Sequence, residues 1–250
     1  MKKHLYILLI CCFSCQLFSQ KNKIDIKAIL QPSKDVLKLQ QKIIFFNNSD
    51  SILNTIYLHN WPNSFKNRKT PLSKRFVKDF KKELYFAEES EKGESNIKNL
   101  TVNNESVVFN EVKDQIDILK LSLNNSLKPK DSLKIEVTYN IKIPDAKFTN
   151  YGKTNDGYSL RYWYLTPAVY DNGWQLMSNL NLDDLLESYT NFVIDIDVPY
   201  KFVLESNLTQ LEINQEDKTK YILTSKHNKD VILSISKKKE FKLYSVDGIN

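Results

Sequence analysis

From Gln20 onward the chain runs in short stretches rich in Ile, Val, Phe, Tyr and Leu, interrupted by Asn, Asp, Ser and Lys at intervals of about ten residues, the cadence of an all-β fold. Ile24 to Leu30, Leu37 to Phe46 and Ile52 to His59 read as three strands, with Asn47 to Ser51 as the turn between the last two. In the first, Ile24, Ile26 and Ala28 share one face while Lys23, Asp25 and Lys27 share the other, as alternate residues of a strand must. The clearest half-buried strand is Leu133 to Ile143, where Ile135, Val137, Tyr139, Ile141 and Ile143 alternate with Lys134, Glu136, Thr138, Asn140 and Lys142. Leu100 to Val102 and Val107 to Phe109 flank Asn103-Asn104, a pair suited to the positive φ of a hairpin turn. Further strands are expected at Ile116 to Leu123, Tyr158 to Leu165, Phe192 to Val198, Phe202 to Glu205, Tyr221 to Ser225, Val231 to Ile235 and Phe241 to Val246.

One segment changes period. Leu72, Phe76, Val77, Phe80 and Leu84 recur at helical spacing behind Thr70, a candidate N-cap, and Pro71 at the first helical position. The expected architecture is therefore a large antiparallel β-sheet or sandwich with one short amphipathic helix inserted. The outer face and approach of that helix carry Lys66, Arg68, Lys69, Lys74, Arg75, Lys78, Lys81 and Lys82 against Asp79 and Glu83. Such a run is a solvated face or a patch for anions, and acidic Glu88, Glu89 and Glu91 follow directly.

Composition narrows the class. The 250 residues are 41% apolar with five glycines and seven prolines, enough to build a core and unlike a collagenous or low-complexity chain. A mean hydropathy of −0.44 excludes a polytopic helical membrane protein. The net charge is +6, and +4 without Lys2 and Lys3, which is too little to argue for nucleic acid. Those two lysines open a segment with an export leader's layout: a basic start, an apolar run from Leu5 to Phe13, and small Ser19 at a cleavage point. Residues 1–19 are read as a signal peptide and 20–250 as the mature domain, exported to the periplasm or outside the cell. The apolar run is too short to span a bilayer, so no transmembrane segment is expected after cleavage. All three cysteines, Cys11, Cys12 and Cys15, lie in this leader, and lipidation at one of them, most simply Cys15 after Ser14, is the alternative that would leave the protein tethered.

Candidate chemistry is sparse. His59 and His227 are the only histidines of the mature chain and neither has an H-x-x-x-H partner, so no metal site is read and His59 is taken as a hydrogen-bonded structural residue. Asp183, Asp184 and Glu187 lack the glycine and alternating ligands of a calcium loop and read as a helical turn with exposed acids. No Walker loop, G-x-S-x-G or G-x-G-x-x-G is present. The densest feature is Arg161-Tyr162-Trp163-Tyr164; as a strand it would set Tyr162 and Tyr164 on one face and Arg161 and Trp163 on the other, one side for the core and one for a cleft.

Two segments carry a family resemblance. Ile56-Tyr57-Leu58-His59-Asn60-Trp61-Pro62-Asn63-Ser64-Phe65-Lys66 is similar to L-H-x-W-P-N-A-Y-K, followed by the Thr70 to Phe76 helix and Tyr85-Phe86-Ala87. Arg161-Tyr162-Trp163-Tyr164-Leu165-Thr166-Pro167-Ala168-Val169-Tyr170-Asp171 with Gly173-Trp174 is similar to T-Q-W-F/Y-P-x-P-A-V-Y-D with G-W. These resemble the N-terminal β-domain of exported zinc aminopeptidases of the aminopeptidase N and leukotriene hydrolase family, in the form common among Bacteroidetes, over about Lys38 to Lys239. The resemblance implies a saddle-shaped β-domain that packs on a downstream, thermolysin-like catalytic domain of the same protein. There, H-E-x-x-H and a later Glu would hold zinc; none of those ligands is in this chain, so no cofactor and no catalytic residue is expected here, and whether the parent protein is an enzyme stays open. It also implies a peptide substrate, with Arg161, Tyr162 and Trp163 near the cleft. Tyr162 stands where the family has a Gln that accepts from the substrate amine, and Arg161 replaces Thr, placing a cation where an ammonium would come. The alternative is a stand-alone secreted β-sandwich that binds glycan or peptide on a platform of Tyr162, Trp163 and Trp174, and a purely structural surface protein is a third reading.

Overall fold

A computed structural model describes residues 22–182 and 185–238. The leader with its cysteines, Asp183 and Asp184, and the Phe241 to Val246 stretch lie outside the described residues. The strands are β1 (Asn22–Gln31), β2 (Val36–Phe46), β3 (Leu53–His59), β4 (Glu94–Val102), β5 (Glu105–Ser106), β6 (Phe109–Val112), β7 (Gln115–Leu127), β8 (Ser132–Lys142), β9 (Gly152–Lys153), β10 (Gly157–Leu160), β11 (Thr166–Pro167), β12 (Val169–Tyr170), β13 (Trp174–Gln175), β14 (Thr190–Pro199), β15 (Phe202–Ser206), β16 (Thr209–Asn214), β17 (Lys218–Asn228) and β18 (Leu233–Lys237). Between β3 and β4 lie a 3₁₀ turn over Trp61–Phe65 and helix α1 (Pro71–Lys78). The fold is all-β, as the alternation predicts.

The strands form one eight-stranded sheet in the order β16-β17-β14-β1-β2-β8-β4-β5, two four-stranded sheets, β15-β18-β10-β9 and β11-β3-β7-β6, and the β12-β13 ribbon. The large sheet is not wholly antiparallel: β1 and β14 run parallel from Asn22 opposite Thr190 to Ile29 opposite Asp197. Period-two alternation reports which residues share a face and carries no information on strand direction, so this pairing was invisible in the sequence.

One face of the large sheet is apolar. Ile24 and Ile26 of β1, Leu37 and Leu39 of β2, Ile135 and Val137 of β8, and Ile194 and Ile196 of β14 are all buried. They join Ile56, Leu58 and Leu121 of one small sheet and Leu160, Leu204 and Leu233 of the other in a single continuous core. The opposite face carries Lys27, Lys42, Glu136, Thr138 and Asp195, which stay hydrated. Three sheets sharing one core explain how a chain with no disulfide among its described residues holds together: hydrophobic burial over many strands substitutes for cross-links.

Helix α1 begins as expected. The Thr70 side chain accepts from Ser73 N at 3.2 Å, and Pro71 sits in the first turn. It ends sooner than the apolar period implies. Asp79 leaves helical geometry and Phe80 turns left-handed at φ 61°, with Lys81 N donating to Phe76 O at 2.8 Å and Phe80 N to Val77 O at 3.2 Å. This is a Schellman-type stop, built without the usual glycine. Phe80 is consequently 89% exposed, while Leu84 reaches Phe65, Leu72, Phe76 and Phe148 in a second small core from the turn that follows.

Candidate functional site

The site begins where β10 stops. Leu160, opposite Leu233, is the last strand residue, whereas an unbroken strand through Leu165 was expected. The reason lies at Tyr162, whose φ of 57° reverses the alternation. Tyr162, Trp163 and Tyr164 are therefore all buried instead of pointing to opposite sides. Trp163 Nε1 donates to Val231 O at 3.2 Å, and Tyr164 meets Phe192 edge-on at 5.6 Å. Leu165 is held by a buried side chain of β2: Gln41 Nε2 donates to Leu165 O at 2.6 Å, while Gln41 Oε1 accepts from Leu165 N at 3.2 Å and from the Tyr139 hydroxyl. Complete burial pushes the Tyr139 phenol well above its ordinary pKa, so it stays a donor.

The two motif segments meet in space. β11 pairs with β3, placing Thr166 opposite His59 and Pro167 opposite Leu58. The Trp61 ring stacks on His59 at 4.7 Å on one side and meets Tyr162 edge-on at 4.7 Å on the other. Trp61 Nε1 donates to Met177 O at 2.8 Å, and His59 Nε2 accepts from Met177 N at 3.3 Å. Burial depresses the His59 pKa to about 4, partly offset by the Gln175 backbone, so the imidazole is neutral and structural.

A residue that sequence reasoning missed ties this layer down. Asp117 on β7 is fully buried and accepts from Ser64 Oγ at 3.0 Å, Ser178 Oγ at 2.9 Å and Asn179 N at 2.8 Å. Burial pushes its carboxyl up in spite of these hydrogen bonds. Its only sequence signal was an acid inside the apolar run Ile116-Asp117-Ile118.

Together these contacts shape a recess. Arg161, Tyr162 and Trp163 all line it, facing Pro62 and Phe65 from the first motif and Asn179 from the segment that Asp117 holds. The free space is about 40 Å³, room for a few waters and too little for a peptide side chain. The Arg161 guanidinium lies 4.5 Å over the Tyr162 ring and its Nε pairs with Asp230 at 2.8 Å. The lone cation implied by the sequence is thus compensated. Glu187 adds a second acid coupled to Asp230; burial, and then Asp230, push its carboxyl up to about 8 against the pull of Arg161 and Lys229. Glu187 lies in irregular chain, not in the helical turn expected.

The exposed shelf that a stacking module would need is not formed. Tyr162 and Trp163 are buried, and Trp174 packs against Phe45, Tyr57 and Tyr170. Among the described residues no three His, Cys, Asp or Glu side chains come together to hold a metal ion, so the residues present do not fit zinc. Nor is any described helix long and apolar enough to cross a membrane.

Fold and recess thus define a β-scaffold with a small rim-lined cleft. Neither a family model nor a curated protein matches the chain by sequence. Solved structures do match in fold. An M1 zinc metallopeptidase from Deinococcus radiodurans superposes with a TM-score of 0.50 at 10% identity, over 86% of this chain and 42% of that one. A two-domain M1 zinc metallopeptidase, a mutant form bound to L-tryptophan, gives a TM-score of 0.50 at 10% identity over 87% and 43%. At that identity the likeness is one of fold, and this chain spans less than half the length of those proteins.

Proposed function

We propose that this chain is the non-catalytic, N-terminal β-domain of an exported zinc metallopeptidase of the aminopeptidase type, and that it shapes the wall of a peptide cleft and leaves the metal-dependent step to a downstream domain. The observation that carries the reading is the Trp61–Tyr162 contact at 4.7 Å, which joins the two motif segments into one recess on a fold shared with M1 metallopeptidases. In this reading Arg161, Tyr162 and Trp163 lie near the substrate cleft, the buried Tyr162 and Trp163 supporting its wall and Arg161, neutralised by Asp230, leaving a peptide ammonium tolerated at the rim. Exposed Leu182, which also lines the recess, with Leu186 and Tyr189 nearby in the chain, provides apolar surface for the downstream domain.

The first test is the reading frame beyond Asn250, where the proposal expects a helix carrying H-E-x-x-H. A stop codon with no such motif beyond it would remove the enzymatic form of the reading. The second is peptide binding to the complete protein carrying Arg161→Thr together with Tyr162→Gln. Unchanged selectivity for a free amino terminus would refute the cleft assignment. Zinc bound stoichiometrically by the present chain alone, with peptide cleavage, would refute the division of labour.

A further inference from the structure

The turn after α1 is built in an unusual way for a surface loop. Inward, Leu72, Phe76 and Leu84 anchor it to Phe65 and Phe148. Outward, it presents Phe80 at 89% and Phe86 at 72% exposure, with Val77 and Tyr85 also exposed. Phe80 holds this position at φ 61°, a conformation costly for a residue with a Cβ, so the fold maintains both backbone strain and a hydrated phenyl ring at one point.

The surrounding charge is mostly basic: residues 68–88 carry seven Lys and Arg against three Asp and Glu. Arg68, Lys69, Lys74, Lys78, Lys81 and Lys82 flank the rings, and Lys74, Lys78, Lys81 and Lys82 form no ion pair among the described residues. Of the two acids inside the run, Asp79 is taken by Arg75 at 3.1 Å. Of the downstream acids, Glu89 pairs with Lys92 at 2.6 Å and Glu91 with Lys147, and Glu83 and Glu88 offset only part of the basic excess.

We propose that this turn is an interfacial anchor that seats on the surface of an anionic lipid bilayer. Protruding aromatic and aliphatic side chains ringed by lysines are what the boundary between headgroups and acyl chains accepts, the rings entering and the ammonium groups staying with the phosphates. A nucleic acid would need rings presented flat to successive bases, whereas Tyr85 and Phe86 pack edge-on to each other at 4.9 Å and 74°. The inference does not depend on the peptidase reading: it concerns a different face and would hold for any exported protein with this turn.

The test is co-sedimentation of the purified protein with phosphatidylcholine vesicles, with and without about 30% phosphatidylglycerol. Binding is expected to the anionic vesicles at about 0.01 M salt and to be lost at about 1 M. Phe80→Ser with Phe86→Ser is expected to weaken it about tenfold or more. Lys78→Gln, Lys81→Gln and Lys82→Gln together are expected to weaken it about a hundredfold. Ile52→Ser and Val108→Ser, at residues also largely exposed but elsewhere on the surface, should leave it unchanged. All these side chains are exposed, so the thermal unfolding curves report whether each variant remains folded. No binding to anionic vesicles, equal binding to neutral ones, or loss of partition in the Ile52 and Val108 variants would overturn the proposal. So would unchanged partition in folded variants of the turn, or tighter capture of an oligonucleotide through the same side chains.

Discussion

One buried imidazole should make a stability contribution that acidification removes, and the size of that contribution follows from the structure. His59 is fully buried between Trp61 and the Met177 backbone, and its pKa falls from 6.5 to about 4. Between those values the unfolded chain binds a proton that the native state refuses, so stability rises with pH at about 1.4 kcal/mol per unit. The contribution is whole above 6.5 and is lost as pH falls towards 4. At about pH 5 the loss is about 2 kcal/mol. Glu187 works in the other direction: its pKa is raised from 4.5 to about 8, so its contribution is present below 4.5 and is lost as pH rises to 8. The two slopes oppose each other between 4.5 and 6.5, and the wild-type profile alone should look nearly flat there. The informative measurement is therefore a difference. His59→Gln keeps an acceptor for Met177 N and removes the titration, so urea unfolding of both proteins at about pH 7 and about pH 5 should show the wild type losing about 2 kcal/mol relative to the variant. Parallel losses in the two proteins would refute the assignment of a neutral, buried His59.

Three further outcomes follow from packing and backbone geometry. Phe80→Gly should raise the urea midpoint by the equivalent of about 1 kcal/mol, because glycine relieves the left-handed strain at φ 61°. Gln41→Leu should cost about 2 kcal/mol or more by urea unfolding, since it strands the Tyr139 hydroxyl and the Leu165 carbonyl in the core, while Leu165 N–H keeps the Tyr139 oxygen at 3.3 Å. Gly157→Ala should be severe, about 4 kcal/mol or more by thermal unfolding, because its Cβ would sit 1.8 Å from the Ile235 carbonyl oxygen and prise β10 from β18.

Much of the architecture was readable residue by residue. The alternation in β8 from Leu133 to Ile141 assigns its buried and hydrated faces correctly, Thr70 and Pro71 mark the start of α1, and Asn103 and Asn104 take the positive φ values of 50° and 69° that their hairpin requires. Arg161, Tyr162 and Trp163 were singled out by aromatic density and by resemblance; the three line one recess, which by itself assigns them no substrate. Their orientation was not readable, because strand logic assumes an unbroken strand and Tyr162 breaks it. Asp117 was passed over because a single acid in an apolar run has no local partner; Ser64, Ser178 and Asn179 come from positions distant in the chain.

The division has a physical basis. Period, caps and turns arise from interactions between residues a few positions apart, so the chain by itself determined that this is a many-stranded β protein with one capped helix. The parallel β1–β14 pair, the His59–Trp61–Tyr162 stack and the Asp117 node all join segments separated by tens of residues or more. Those contacts exist only once three sheets close on one core, where desolvation depresses the pKa of His59 and raises those of Asp117 and Tyr139. Only the tertiary structure could decide them.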